Sequence, residues 1–214
     1  VYPGQTLHSR KVNVPGDISS AAYFLGAGLI VPDSAIVIRN VGINPTRAGI
    51  IQVFNDMGAS IALSKIHTDT GELTADISVQ TSPLHGIVIG GSVIPALIDE
   101  LPLIAVAATQ ASGTTVIRDA SELKVKESDR IALMTSGLKA MGADITATDD
   151  GMIINGPSRL HPAGVETALD HRIAMSFSIA ALLCEPGSSM EIPDSDCVRI
   201  SYPGFFNDLA SLER

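Results

Sequence analysis

Three stretches of this chain copy one another, and such a repeat restricts the fold to stacked or symmetric copies of a single supersecondary unit. The first copy opens Asp17-Ile-Ser-Ser-Ala-Ala-Tyr-Phe-Leu-Gly-Ala, the second Asp99-Glu-Leu-Pro-Leu-Ile-Ala-Val-Ala-Ala, and the third Asp170-His-Arg-Ile-Ala-Met-Ser-Phe-Ser-Ile-Ala-Ala. Each is an aspartate running into small and apolar residues, which reads as a capped helix. Turn residues and β-branched runs follow at Asp33-Ser-Ala-Ile-Val-Ile-Arg, Ser112-Gly-Thr-Thr-Val-Ile-Arg and Gly187-Ser-Ser-Met-Glu-Ile, and each predicts a strand. Second helices are expected over 45–57, 127–141 and 202–212. The first two end at Gly58 and Gly142, where a helix leaves through a left-handed residue. Strand pairs are expected over 60–63 with 75–79, and over 145–147 with 152–154. The unit is strand, helix, strand, helix, strand, strand, with copies at about 8–80, 85–155 and a shorter 163–214.

The first helix of each copy is apolar on nearly every face; 101–111 and 173–184 contain no charged residue. Helices of that kind are buried on all sides. The second helix is amphipathic, with Ile131, Met134, Leu138 and Met141 at helical spacing. These patterns predict an α/β (α+β) domain of pseudo-threefold symmetry, built from βαβαββ units around three buried helices. If the inner helices run in one sense, their N-termini gather at one end, where aligned dipoles and unpaired N–H groups favour an anion. Asp17 reads as a simple cap.

Composition narrows the class. Of the 214 residues 45% are hydrophobic and 17% charged, which excludes intrinsic disorder. The longest apolar run, 101–108, falls short of the roughly 18–20 residues that span a bilayer, so no membrane partner is expected. A net charge of −9 without a basic run argues against a nucleic-acid partner. Cys184 and Cys197 show no metal-ligand spacing, and a cytoplasmic setting is the default. The chain opens on Val1 rather than methionine, as a processed or excised piece would.

Charge concentrates in two places. Lys124-Val-Lys-Glu-Ser-Asp-Arg130 surrounds the expected start of an outer helix, where Lys126 and Arg130 oppose the dipole and, at i and i+4, repel each other. A bound anion would offset that cost. Asp170-His171-Arg172 opens a wholly apolar helix, and the Arg172 fork suits bidentate contact with carboxylate or phosphate. Asp99-Glu100 opens the other buried helix, where a carboxylate is a base or a cap.

These motifs, with Pro15-Gly-Asp-Ile-Ser-Ser-Ala-Ala-Tyr-Phe-Leu25, Asp170-His-Arg-Ile-Ala-Met175 and the closing Ser201-Tyr-Pro-Gly-Phe-Phe206, resemble the 5-enolpyruvylshikimate-3-phosphate synthase family over essentially the whole chain. The resemblance is to the family's C-terminal portion, one half of a two-domain inside-out α/β barrel. It implies a single domain over 1–214 whose partner is the absent N-terminal domain, and no metal or cofactor. It also implies a reaction: the 5-hydroxyl of shikimate 3-phosphate adds to C2 of phosphoenolpyruvate while C3 is protonated, and phosphate then leaves. By motif, Asp99 matches the proton acceptor at the shikimate hydroxyls, Glu127 the acid for C3, and Lys126 the lysine at shikimate 3-phosphate. Arg130 and Arg172 match the arginines at the phosphoenolpyruvate carboxylate, with Asp170 and His171 in support. Two positions depart from members of the family. Ile200, preceded by Arg199, stands where some carry a lysine, and Glu122 stands where some carry an asparagine. The alternatives are the sister transferase acting on UDP-N-acetylglucosamine, a non-catalytic module for phosphorylated ligands, and a purely structural domain. Half of a cleft site is expected to be inactive alone.

Overall fold

Asp17 accepts the Ser20 N–H at 2.8 Å and starts α1 (Ile18–Ile30), in which every residue but Ser20 is buried. This is a computed structural model, and it describes residues 3, 4, 6, 8, 9, 11–69 and 71–212, so that Val1 lies outside it. Strands β1 (Ala35–Gly42), β2 (Ser60–Asp69) and β3 (Glu72–Gln80) form an antiparallel sheet in the order β1-β3-β2, and Gly16 makes a parallel bridge to Val41 of β1. Helix α2 (Gly49–Asp56) lies between β1 and β2 in sequence.

A second sheet repeats this order. Strand β4 (Val88–Ile89) runs parallel to β5 (Gly113–Ile117), and β5, β7 (Met152–Gly156) and β6 (Asp144–Ala147) follow in the order β4-β5-β7-β6. Between them in sequence run α3 (Leu101–Ala108), buried at every residue, and α4 (Arg130–Ala140). Gly58 and Gly142 take φ of +89° and +98° after α2 and α4, as the helix-exit reading requires. The stripe Ile131, Met134, Leu138 and Met141 is fully buried.

The last part of the chain is α5 (His171–Ala181) and α6 (Phe205–Leu212). Helices α1, α3 and α5 each pack against the other two, so three buried helices form the centre. The strand expected at 187–192 does not form. Those residues have no neighbouring strand among the described residues to complete a ladder, and an isolated strand leaves its backbone groups unpaired. The closing motif instead builds core: Phe205 is fully buried, its ring 5.8 Å from both Tyr23 and Phe24 of α1 and 5.7 Å from Tyr202.

Several helix starts differ from expectation because side chains cap at other positions. The Asn44 carboxamide accepts from the Thr46 N–H and hydroxyl, a turn that delays α2 to Gly49. Asp129 accepts the Ala132 N–H at 3.0 Å and starts α4 at Arg130, not at 127. Asp170, by contrast, caps where the sequence places a cap: it accepts the Arg172 N–H at 2.9 Å and starts α5 at His171. The starts of the three central helices, marked by Asp17, Asp99 and Asp170, carry the charged residues.

Candidate active site

Asp99 lies in a short 3-10 turn, residues 98–100, that feeds directly into α3. It does not cap that helix. Pro102 occupies the first turn, where a missing N–H costs nothing, and the Asp99 carboxylate is left free to face sideways. Three cations converge on it. Arg130 Nη1 approaches Oδ1 at 3.3 Å, Lys126 Nζ approaches the same oxygen at 3.8 Å, and Arg172 Nη2 approaches Oδ2 at 3.3 Å. Asp99 retains 32% side-chain exposure, so a ligand can still reach it.

Arg130 opens α4 and is 1% exposed. A buried guanidinium is tolerated only when its charge and donors are matched. Asp170 supplies most of the match, accepting from Nε at 2.8 Å and from Nη2 at 3.4 Å. Glu127 accepts a short hydrogen bond from Nη2. Asp170 is itself wholly buried and also accepts from the Ser128 hydroxyl at 2.8 Å. Burial pushes its pKa up, but the hydrogen bond and charge of Arg130, with Ser128 and the Arg172 N–H, outweigh that and hold it below the usual carboxylate range. Asp170 is thus the anchor that joins the first turns of α4 and α5.

The helical repulsion expected between Lys126 and Arg130 is absent, and this corrects the sequence reading. Lys126 precedes the helix in a bent segment, because Asp129 sets the helix start three residues later. No external anion is needed to balance the two cations, since both turn onto Asp99. Lys126 also pairs at 2.5 Å with Glu122. Glu127, beside it, is 55% exposed with its carboxylate on Arg130.

Arg172, in the first turn of α5, is 15% exposed. Its Nη1 also donates to the Asp99 carbonyl at 3.5 Å and lies 3.8 Å from Glu100 Oε1. Tyr23 of α1 is buried beside it, and the interaction between the two helps to hold the Arg172 pKa above its usual value. His171 is buried next to this group. Burial, then the charge of Arg172, lowers its pKa, so it is neutral at neutral pH and adds no charge to the cluster. Arg199 pairs at 3.4 Å with Asp196, and Ile200 is exposed, so the structure does not bring the closing segment's cation to the cluster.

All seven residues singled out from sequence therefore come together, with Asp99 at the hub, Arg130 and Asp170 forming the buried base, and Lys126, Glu127 and Arg172 facing outward. Sequence reasoning missed Tyr23 and Ser128 and left Glu100 without a role. Tyr23 sits in an otherwise apolar helical run, where a lone hydroxyl is an available signal of a buried polar partner.

The arrangement is a set of three cations around one reachable carboxylate, at the starts of α3, α4 and α5. It suits a substrate carrying carboxylate or phosphate together with a hydroxyl that can give up a proton. The family model of EPSP synthase (3-phosphoshikimate 1-carboxyvinyltransferase) matches residues 1–209. A 3-phosphoshikimate 1-carboxyvinyltransferase of Streptococcus sanguinis is 56% identical over 212 residues, covering 99% of this chain and 49% of the relative. One from Thermoanaerobacter pseudethanolicus is 56% identical over 205 residues, covering 96% and 48%. The chain spans about half the length of the curated relatives it matches. Among solved structures, EPSP synthase from Acinetobacter baumannii superposes with a TM-score of 0.93 at 40% identity, covering 98% of this chain and 48% of that one. The enolpyruvyl transferase NikO from Streptomyces tendae shares the fold at a TM-score of 0.68 and 17% identity, over 91% and 42%. On the matched residues, the identities and the superposition, the chain belongs to the EPSP synthase family.

Proposed function

We propose that this chain is the C-terminal half of an enzyme that transfers the enolpyruvyl group of phosphoenolpyruvate to the 5-hydroxyl of shikimate 3-phosphate, with release of phosphate. The observation that carries this reading is the convergence of Lys126, Arg130 and Arg172 on Asp99. Asp99 takes the proton of the attacking hydroxyl. A carboxylate among three cations is poised to exchange one of them for a substrate hydroxyl, which becomes acidic as its oxygen bonds to C2. Arg172 and Arg130 hold the phosphoenolpyruvate carboxylate, and Lys126 holds shikimate 3-phosphate. Glu127, in its acid form, delivers a proton to C3 and gives a tetrahedral centre at C2; phosphate then leaves C2 with the proton held by Asp99 while Glu127 takes a proton back from C3, which restores the double bond of the enolpyruvyl ether. Arg130 is saturated by Asp170, Glu127 and Asp99, so it engages substrate by releasing Glu127 or Asp99, which frees the carboxylates for proton transfer in the same step.

Catalysis of this kind is positioning and preorganised charge. The remaining phosphate ligands belong to the N-terminal domain, and domain closure completes the site and excludes water. Residues 1–214 form one domain with copies near 8–80, 85–155 and 163–214. Two cysteines free of disulfides, Cys184 and Cys197, fit a cytoplasmic setting.

The test is kinetic, in the enzyme assembled from this chain and the half of the S. sanguinis relative that it does not span. Arg172→Ala is expected to raise KM for phosphoenolpyruvate about tenfold or more, the loss of one charged hydrogen-bonded contact, and to leave KM for shikimate 3-phosphate nearly unchanged. Asp99→Asn is expected to lower kcat by about 100-fold or more, as loss of a general base does. Unchanged phosphoenolpyruvate kinetics in the first variant, or a retained kcat in the second, would overturn these assignments.

A further inference from the structure

Glu100 is the one carboxylate at this end of the molecule without an assigned task. It is 4% exposed, and its Oε1 has no hydrogen-bond partner. A buried, unpaired carboxylate oxygen is costly, and a fold keeps one for a reason. Glu100 sits where the starts of the three central helices meet. Ser19 and Tyr23 of α1 face it, Arg172 of α5 lies 3.8 Å from Oε1, Arg47 reaches toward it through the Ser19 hydroxyl at 3.0 Å, and Asp99 precedes it. Burial raises its pKa, with the charge of Asp99 adding to that, while Ser19, Arg172 and Arg47 oppose it.

Arg172 is shared between two neighbours in sequence. Its Nη2 points to the Asp99 carboxylate, and its Nη1 lies between the Asp99 carbonyl and Glu100 Oε1. Asp99 is half-buried and has three cationic partners, whereas Glu100 is enclosed and has a spare oxygen. When Asp99 turns to a substrate hydroxyl, it leaves Arg172 with a buried guanidinium edge to satisfy. The free oxygen of Glu100 stands 3.8 Å from Nη1, and a shift of about 1 Å brings it within hydrogen-bond distance.

We propose that Glu100 is the positioning residue of Arg172, retaining its guanidinium behind the site so that its outer edge stays aimed at a substrate carboxylate after Asp99 is engaged elsewhere. The inference rests on the reading of Arg172 as the phosphoenolpyruvate-carboxylate ligand. Glu100 touches no substrate; it acts through Arg172. A residue kept only for packing would lower stability when changed. A carboxylate whose ionised form is disfavoured by burial does the opposite: Glu100→Gln is expected to keep or raise the melting temperature at neutral pH while impairing binding.

Two measurements test this. In this chain alone, rotation of the Arg172 guanidinium is read from exchange between its side-chain 15N–1H resonances, assigned by their loss in Arg172→Lys. With Asp99→Ala present, so that the competing carboxylate is gone, Glu100→Ala is expected to speed that rotation about tenfold, the loss of one hydrogen bond to a charged group, with Arg130 unaffected because Asp170 holds it. An unchanged Arg172 rotation would overturn the proposal. In the assembled enzyme, Glu100→Gln and Glu100→Ala are expected to raise KM for phosphoenolpyruvate about tenfold with KM for shikimate 3-phosphate within about twofold. Addition of Arg172→Ala to Glu100→Ala should cost little more than Arg172→Ala alone. If Arg172→Ala raises that KM and the Glu100 variants do not, the positioning role fails by itself. If Arg172→Ala is silent, the ligand reading beneath it fails.

Discussion

Arg130 and Asp170 carry the largest local risk in the molecule. Both are removed from water, and each is tolerated because the other is there. Breaking one side of such a pair costs about 3–5 kcal/mol, because it strands a buried charge. Asp170→Asn is therefore expected to destabilise the fold by that amount in urea titration, whereas Asp129→Ala, the loss of an exposed cap, should cost about 1 kcal/mol. The pH dependence follows with its sign. The Asp170 pKa is depressed in the fold, so its stabilisation is fully present above the unfolded carboxylate value of about 3.9 and is lost as pH falls through the folded value. Melting temperatures of Asp170→Asn should fall less steeply with acid below about pH 4 than those of the parent chain; parallel curves would show that Asp170 is not the group titrating. Sequence exposed the members of this cluster, because a charged triplet entering an apolar helix is rarely surface decoration. It did not expose their pairing. Whether Lys126 repels Arg130 or shares Asp99 with it depends on where one capping carboxylate, Asp129, starts a helix, and pattern alone places such boundaries only to within a few residues.

Helices and strands show the same division. Buried helices were legible from their lack of charge, and Gly58 and Gly142 from their place after amphipathic runs. The irregularities in β1 and β2 were not. Asn40 and Lys65 adopt positive φ of 54° and 50°, where the register of each strand shifts against β3. Asp76 of β3 holds both sides, accepting the Asn40 N–H at 2.9 Å and pairing with Lys65 Nζ at 2.8 Å. Alternating hydrophobicity carries no mark of such a cross-strand device. The strand misread at 187–192 has the opposite cause: its pattern is right, but pattern says nothing about whether a neighbour exists to pair with. Helix contacts bring two expectations. A Cβ at Gly137 of α4 would run into the Phe177 ring of α5, so Gly137→Ala should destabilise by about 1–3 kcal/mol despite its better helix propensity. Phe205→Ala should cost about 3–5 kcal/mol, since that ring closes α6 onto Tyr23 and Phe24. Equilibrium unfolding in denaturant checks both, and a neutral Gly137→Ala would mean that α4 and α5 pack less closely than described.

The molecule as a whole brings the starts of α1, α3 and α5 together and stations its cations there, although its net charge is −9. Local placement decides the binding chemistry, and the overall charge does not. The fold gathers Asp99, Lys126, Glu127, Arg130 and Arg172 into one cluster, and in the proposed enzyme a second domain supplies the rest of the site. Phosphate release from shikimate 3-phosphate plus phosphoenolpyruvate tests this most directly. It would be measured with this chain alone, with the complementary half of the S. sanguinis relative alone, and with the two combined, both shown to be folded by circular dichroism. Activity only in the mixture, abolished by Asp99→Asn, is the expected result. Turnover by this chain alone would contradict the half-site reading, and silence of the folded mixture would leave a module that binds phosphorylated ligands without transforming them.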